Sequence, residues 1–399
     1  MSLRLAVIAS HPIQYQAPLF RRIAATSGVE LEVLFLSDHG LKPTMDEGFG
    51  QVVRFDSPLL EGYAHRFLRN RSPRPGLYPP FGLLNPSLAT AIGRGGFDAV
   101  CVQGYNFASH WIAYAAAAGV RVPWMMRGES TLLYETTPLR RAAKTALLAP
   151  LVRGAGALLC IGEHNRRFYE SLGARPSQLF HAPYSVDNDY FATRARTARD
   201  SGASAAIRQR LGAGPDDVVL LFVGKYLKRK RPVDVVEAVA SLGDASRRVV
   251  VAFVGEGEER PALESAIART GVRACLTGFV NQSELGAWYG ASDLFVLPST
   301  YETWGLVVNE AMAAGLPVVV SDLVGCGQDL VAGRGTGGVH KAADPASLAE
   351  VLRPLVGDDG LRRSAAAKAL EVIAGYDVSV TAAGVVEALQ AVASRRSAA

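Results

Sequence analysis

The stretch Ser299-Thr-Tyr-Glu302-Thr-Trp-Gly305-Leu-Val-Val-Asn-Glu310-Ala-Met-Ala-Ala-Gly315-Leu-Pro-Val-Val-Val-Ser321 decides how this chain is read. Ahead of it, Asp293 to Pro298 (DLFVLP) has the apolar content and length of a buried strand. Thr303-Trp-Gly305 then reads as a turn, Leu306 to Ala314 as a helix, and Gly315-Leu-Pro317 as its stop before a strand at Val318 to Ser321. At the helix start the backbone N–H groups from Gly305 to Val307 have no intrahelical partners and carry the positive end of the helix dipole, so a phosphate is their natural guest. Gly305 lets the backbone approach such a group closely. Glu302 in the loop and Glu310 in the helix have seven residues between them, so both can flank one bound molecule and accept hydrogen bonds from different hydroxyls.

Strand-like and helical runs alternate on both sides of this segment. Leu3 to Ser10, Val29 to Ser37, Phe97 to Gln103, Arg121 to Met126, Ala157 to Ile161 and Leu179 to Pro183 mark one parallel sheet. Val218 to Gly224, Arg248 to Gly255, Ala274 to Gly278, Asp293 to Pro298 and Pro317 to Ser321 mark a second. Each series has the form of a doubly wound sheet, which predicts ligands at the carboxyl ends of the strands and a cleft between two domains. A length of 399 residues also predicts two domains. The polar stretch Thr193 to Ser204 interrupts both patterns, and the join is placed near residue 190.

Within its strand, turn, helix and strand, the Glu302 to Glu310 segment resembles the E-x7-E signature of family 4 retaining glycosyltransferases. The resemblance covers essentially the whole chain and is strongest from Val218 to Asp329. It implies an α/β, GT-B fold of two doubly wound Rossmann-like domains facing a central cleft. Residues 1–190 would form the acceptor-binding domain and 191–377 the nucleotide-sugar-binding domain, with a terminal helix at 378–394 crossing back to the first. It also implies that Glu302 meets hydroxyls of the transferred sugar, Glu310 the ribose, and the backbone of Trp304, Gly305, Leu306 and Val307 the diphosphate.

The loop Phe222-Val-Gly224-Lys225-Tyr-Leu-Lys228-Arg229-Lys230-Arg231-Pro232 is a dense cationic turn at a strand's carboxyl end. The family has Gly-Arg here with a Lys about five residues on, and the pair neutralises the departing diphosphate; the matching positions are Lys225 and Lys230. Lys at 225 keeps the charge but not the bidentate fork of Arg, so part of the grip can pass to Lys228 or Arg229. As a bare charge run the same loop would be solvated surface. Gly255 and Phe279 end two further strands, where the family's backbone borders the nucleotide; no side chain there separates a UDP from a GDP donor.

In the first domain, Ser10-His11-Pro12-Ile13-Gln14-Tyr15-Gln16-Ala17-Pro18 follows the first strand and would face the acceptor. His11 can be read as a base, as in inverting GT-B enzymes, or as a structural or acceptor-orienting residue; the E-x7-E segment favours retention. Gln14 and Tyr15 are acceptor-binding candidates. Arg127-Gly128-Glu129 stands where many relatives carry His-Gly; Arg127 can bind phosphate or an acidic acceptor, with Glu129 orienting it, or the two can form a surface salt bridge. Asp187-Asn188-Asp189 resembles a DxD metal motif, but its place after a strand and turn points to capping, so transfer is expected to need no metal and no other cofactor.

Hydrophobic content of 49% and charged content of 20% describe a globular chain able to bury large cores. Cys101, Cys160, Cys275 and Cys326 are widely spaced with no CxxC, against a disulfide or zinc framework and for a reducing cytoplasm. Leu3 to Ser10 reads as a buried strand rather than a leader, and no run has the length of a membrane span. The net charge of +5 is concentrated at Arg66, Arg69, Arg71 and Arg74, and at Arg140, Arg141, Lys144 and Arg153 around the helical run Ala142 to Val152. That helix can lie on anionic lipid or cover its own sheet, while nucleic acid is disfavoured for want of interleaved aromatics. The expectation is a retaining sugar-nucleotide-dependent transferase of cell-envelope glycan or natural-product synthesis. The alternatives are a sugar-nucleotide epimerase or hydrolase, or an inactive scaffold.

Overall fold

A computed structural model describes residues 2–41, 43–46, 48, 50–53, 56–134 and 136–398. The chain divides into two compact units, the first formed by Met1–Thr44, Pro58–Tyr184 and Val378–Ala399, the second by Met45–Ser57 and Ser185–Asp377.

The first unit is built on a seven-stranded sheet in the order Ala64–Phe67, Val29–Phe35, Leu3–Ala9, Ala99–Gln103, Trp124–Arg127, Ala157–Cys160, Leu179–His181. All of its pairings are parallel. Both faces are covered, so the central strands are mostly apolar, with Arg4, Gln103 and Arg127 near their ends. Ala6, Ile8, Val100, Val102 and Met126 pack on one side with Leu148, Val152 and Phe168. Leu5, Val7, Ala99, Cys101 and Met125 pack on the other with Phe20, Ile23 and the C-terminal residues Val385, Leu389 and Val392. That last helix, Val378–Ala398, is pinned by Thr381 Oγ1 donating to Pro183 O at 2.7 Å and Arg395 Nη2 donating to Ser177 O at 2.8 Å.

The second unit has a six-stranded parallel sheet in the order Ala274–Leu276, Val249–Val254, Val218–Val223, Leu294–Leu297, Val318–Ser321, Gly337–His340. VVLLFV and VVVAFV are buried along their whole length, as fully covered parallel strands must be. In each sheet the strand order reverses beside the first strand of the series. Loops after Leu3–Ala9 and Ala99–Gln103 therefore open together, as do those after Val218–Val223 and Leu294–Leu297.

Four sequence readings shift. The join lies between Tyr184 and Ser185 rather than near 190, because Asn188 is tied to the end of the second unit: its N donates to Asp377 Oδ2 at 3.3 Å and its Nδ2 to Ile373 O at 2.9 Å. Met45–Ser57, placed by sequence in the first domain, belongs to the second unit. The polar stretch read as an interruption is helical, in Asn188–Asp200 and Ala203–Arg210, and Arg208 is held by Asp293 at 2.7 Å and by Asp217 O at 2.8 Å. The strand expected from Arg121 begins at Trp124, since Arg121 turns the chain at φ 55°. Ala64–Phe67 and Gly337–His340, unseen in the sequence, are edge strands.

Candidate functional site

In the second unit the strand Val218–Val223 ends at Gly224, whose N donates to Val254 O at 3.0 Å. Gly255 packs against that turn at φ 149°, and a Cβ there would stand 1.9 Å from Gly224 O, so no other residue fits. Gly255 N in turn donates to Gly278 O at 2.9 Å, which stitches three strand ends together and sets Phe279 at their border. The cationic loop continues through a short 3-10 turn, Lys228–Lys230, and Arg231 at φ 55° into the helix Pro232–Ala240.

Lys225, Arg229 and Lys230 each have a partner within the unit. Lys225 Nζ lies 2.6 and 2.9 Å from the two carboxylate oxygens of Asp46. Lys230 Nζ donates to Glu302 Oε2, and both side chains are mostly buried, 14% and 16% exposed. Arg229 Nη1 donates to Tyr301 O at 3.2 Å, which commits that guanidinium to the neighbouring loop. Thr300 N donates to Arg229 O at 2.8 Å, Gly325 N to Glu302 O at 2.8 Å, and Cys326 N to Trp304 O at 3.0 Å. The Glu302 loop is thus clamped from two sides.

Trp304 is buried, with Nε1 donating to Asn309 Oδ1 at 2.9 Å and its ring 6.0 Å from that of Tyr376. Its side chain anchors the loop. Gly305 adopts φ 102° as the N-cap of the helix Leu306–Ala313, with no side-chain cap, so the first-turn amides of Leu306 and Val307 are presented rather than capped. Four residues into that helix, Glu310 accepts from Tyr289 Oη at 2.7 Å. Burial lifts its carboxyl from 4.5 to about 7, the Tyr289 hydroxyl working in the opposite direction. Glu310 therefore changes charge near neutral pH.

The first unit gathers a cavity of about 190 Å³ at its own switch point, with Ser10, Tyr15, Gln16, Gln103, His110, Arg127, Glu129 and Tyr184 among its lining residues. Arg127 is 5% exposed; its Nη2 donates to Pro183 O at 3.3 Å and its guanidinium lies 4.7 Å from the centre of the Tyr184 ring. Among the described residues it forms no ion pair, so the surface salt bridge with Glu129 is not formed. Glu129 instead accepts from the Tyr184 hydroxyl. Tyr15 packs edge-on to Tyr184 at 5.6 Å, and burial foremost, then the Glu129 charge, pushes its phenol up to about 12.

His11 is not part of the cavity wall. Its Nδ1 pairs with Ser10 Oγ at 2.9 Å, its ring stands 5.4 Å from His39, and burial followed by the His39 charge lowers it to about 4. It is neutral at pH 7. Gln14 also lies off the wall, with a buried Nε2 that has no partner. Sequence reasoning missed Gln16, Gln103, His110 and Tyr184, all within reach of the rule that ligands sit beyond strand carboxyl ends.

Asp187 caps the helix Asn188–Asp200, its carboxylate accepting from Tyr190 N at 2.9 Å. Among the described residues no group of three or more His, Cys, Asp or Glu is placed to hold a metal, and the four cysteines are free. No helix of those residues is long and apolar enough to cross a membrane.

Residues 204–372 match the family described as glycosyl transferases group 1. A D-inositol 3-phosphate glycosyltransferase of Streptomyces scabiei is 30% identical over 393 residues, covering 92% of this chain and 84% of that protein. The match to a protein of the same name from Xylanimonas cellulosilytica is 33% identical over 53% of this chain and spans about half, 51%, of that relative's length. An alpha-D-kanosaminyltransferase of Streptomyces kanamyceticus is 29% identical over 58% of this chain and 59% of its own. Among solved structures, Anabaena HepE in complex with UDP superposes with a TM-score of 0.71 at 18% identity, covering 100% of each chain. The trehalose 6-phosphate synthase of Burkholderia multivorans gives 0.74 at 14% identity, covering 100% of this chain and 98% of that one. These likenesses give the fold: two Rossmann-like sheets of the GT-B kind.

Proposed function

The chain belongs to the group 1 glycosyl transferases, and from that premise we propose that it moves a sugar from a nucleoside-diphosphate sugar to an acceptor hydroxyl with retention of anomeric configuration. The observation that carries the reading is the second unit's switch point, where Lys230 and Glu302 meet beside a helix whose start is left uncapped at Gly305. In this reading the diphosphate takes the Leu306 and Val307 amides together with Lys225 and Lys230. Glu302, released from Lys230, accepts from hydroxyls of the transferred sugar, and Glu310 accepts from the ribose. Glycosyl transfer needs a stabilised leaving diphosphate and an oriented anomeric carbon, and these residues supply both without a side-chain base.

UDP is the first donor base to try, because the solved neighbour from Anabaena holds it. The first unit's cavity serves as the acceptor side, with Arg127, Glu129 and Tyr15 on its wall; His11 and Gln14 support the loop behind it. Metal independence belongs to the same proposal, since Asp187 is spent on capping and lysines meet the phosphates. Contact with anionic lipid is assigned to the helix Pro138–Gly154, where Leu139 and Leu147 are exposed beside Arg140, Arg141 and Lys144. Failure of the protein to sediment with phosphatidylglycerol vesicles would remove that part alone.

Melting temperature in EDTA with UDP-, GDP-, ADP- and CMP-sugars tests the donor site, because a ligand at 100 times its dissociation constant stabilises by about 2.7 kcal/mol. A selective rise supports the reading. No rise, or a rise only after magnesium is added, overturns it. Release of nucleotide without an acceptor would favour a hydrolase, and conversion of the sugar nucleotide itself an epimerase.

A further inference from the structure

Lys225 meets its counter-ion on a segment that stands apart from the sheet of its unit. Met45–Ser57 belongs to the second unit, although the chain enters it from Thr44 and leaves it at Pro58, both in the first. Two contacts fix it there. Near its start Asp46 holds Lys225 Nζ between its two carboxylate oxygens, at 2.6 and 2.9 Å, and near its end Asp56 Oδ2 accepts from Ser283 Oγ, on the helix Gln282–Ala291.

The start of the segment is shaped to present that carboxylate. Gly48 N donates to Asp46 Oδ1 at 2.9 Å and Gly50 N to Asp46 O at 2.8 Å, so the side chain is oriented by its own turn. A Cβ at Gly48 would stand 2.6 Å from Lys225 Cδ, so the glycine leaves room for the lysine stem to cross. The side chains of Lys225 and Asp46 are 33% and 27% exposed, so solvent or a ligand can reach the pair. An ion pair this accessible is weak and readily exchanged. A carboxylate that holds an ammonium through two oxygens also offers the charge and the acceptors that a phosphate offers.

We propose that Asp46 is an internal stand-in for the ligand's phosphate on Lys225, a specificity residue that makes the negative charge of a nucleoside diphosphate the condition for reaching that lysine. This rests on the donor reading of the second unit. Asp46 acts through Lys225 and touches no substrate. Because the Asp56 contact with Ser283 keeps the segment in place, a displaced Asp46 stays at high effective concentration and retakes the lysine when the nucleotide leaves. The opposite arrangement has Lys225 sharing its three N–H donors between phosphate and Asp46. Asp46 would then aim the lysine, and its loss would weaken binding instead of tightening it.

The sign is read by calorimetric titration of the whole protein with UDP and with uridine, for wild type, Asp46→Asn, Asp46→Glu, Lys225→Ala and the double variant Asp46→Asn, Lys225→Ala. Asp46→Asn should bind UDP about fivefold more tightly than wild type, the scale of one accessible ion pair. Uridine, which has no phosphate, should bind both alike. The gain should shrink as ionic strength rises. Asp46→Glu keeps the charge and should stay near wild type, and once Lys225 is gone Asp46→Asn should change UDP affinity by less than about twofold. Unchanged or weaker UDP binding by Asp46→Asn overturns the proposal, as does an equal gain for uridine. A full gain in the absence of Lys225 also overturns it, since that marks plain repulsion in place of exchange. Wild type and Asp46→Asn that bind none of UDP, GDP and ADP contradict the donor reading itself, whereas binding with the wrong sign contradicts this inference alone.

Discussion

In the second unit Lys225 lies against Asp46, Lys230 against Glu302 and Tyr289 against Glu310, whereas in the first unit Arg127 holds one hydrogen bond and Gln16 Oε1 and His110 Nε2 hold none. Both crevices open at the switch point of a parallel sheet, yet they prepare for ligands in opposite ways. Internal ion pairs hold Lys225 and Lys230, and under the proposed function a phosphate would exchange with those carboxylates. On the same proposal, that exchange would release Glu302 for sugar hydroxyls, so that binding one part of the donor would ready the residue for another. The first unit keeps its polar atoms unpaired, at about 1–3 kcal/mol for each such group, a cost that a partner arriving from outside removes.

The largest effect should come from removing the paired cations. Lys225→Ala with Lys230→Ala should lower kcat/KM by about 1,000-fold, from two charge-assisted contacts of about 1.5–3 kcal/mol each, discounted for partial exposure. Steady-state kinetics of the double variant within threefold of wild type would break the contrast. Next, Glu302→Gln keeps the shape but weakens both the tie to Lys230 and the grip on the sugar. It should reduce kcat by about 100-fold, the scale of an ångström-level misplacement, with the donor dissociation constant moving far less.

How far the sequence carried depends on whether residues lie together along the chain. The turns and helix of the proposed donor side were legible, because Gly224 to Lys230 and Glu302 to Glu310 are two contiguous stretches fixed by local turn and helix chemistry, whereas the Asp46 and Tyr289 partners lie far along the chain. The first unit's cavity draws on four separated segments, and nothing in the neighbourhood of Tyr184 or His110 signals that they line one cavity with Arg127. Edge strands escaped for a physical reason: Ala64–Phe67 is exposed at every position and Gly337–His340 begins with two glycines, so neither shows the apolar run of a covered strand. Likewise the Thr193 to Ser204 stretch looks like linker until Arg199, and Arg208 just beyond it, find carbonyl and carboxylate partners far along the chain.

Smaller effects concern pH. If the ribose needs the Glu310 carboxylate, a group titrating at about 7 should make affinity for a UDP-sugar rise about tenfold between pH 6 and pH 8, and Glu310→Gln should flatten the slope. A flat wild-type profile would argue against Glu310 at the ribose. The stability of the two units should also respond to pH with opposite signs. Glu310 is raised, so the folded second unit binds its proton more tightly than the unfolded chain, and this stability is full below about 4.5 and lost as pH rises through 7. His11 and His110 are lowered to about 4, so the first unit keeps their contribution above about 6.5 and loses it as pH falls through 4. Hydrogen exchange resolved by unit, at pH 5 and pH 8 and corrected for intrinsic rates, reads both; equal trends in the two units would contradict the assignment.

The central claim is that the second unit's crevice receives a nucleoside diphosphate through lysines now held by carboxylates. Its most direct test is the dissociation constant of UDP-glucose, by calorimetry in EDTA, for wild type and for the Lys225→Ala, Lys230→Ala protein. Binding by the wild type, weakened about 100-fold or more in the variant, is the predicted result. Equal affinity in the two proteins would contradict it.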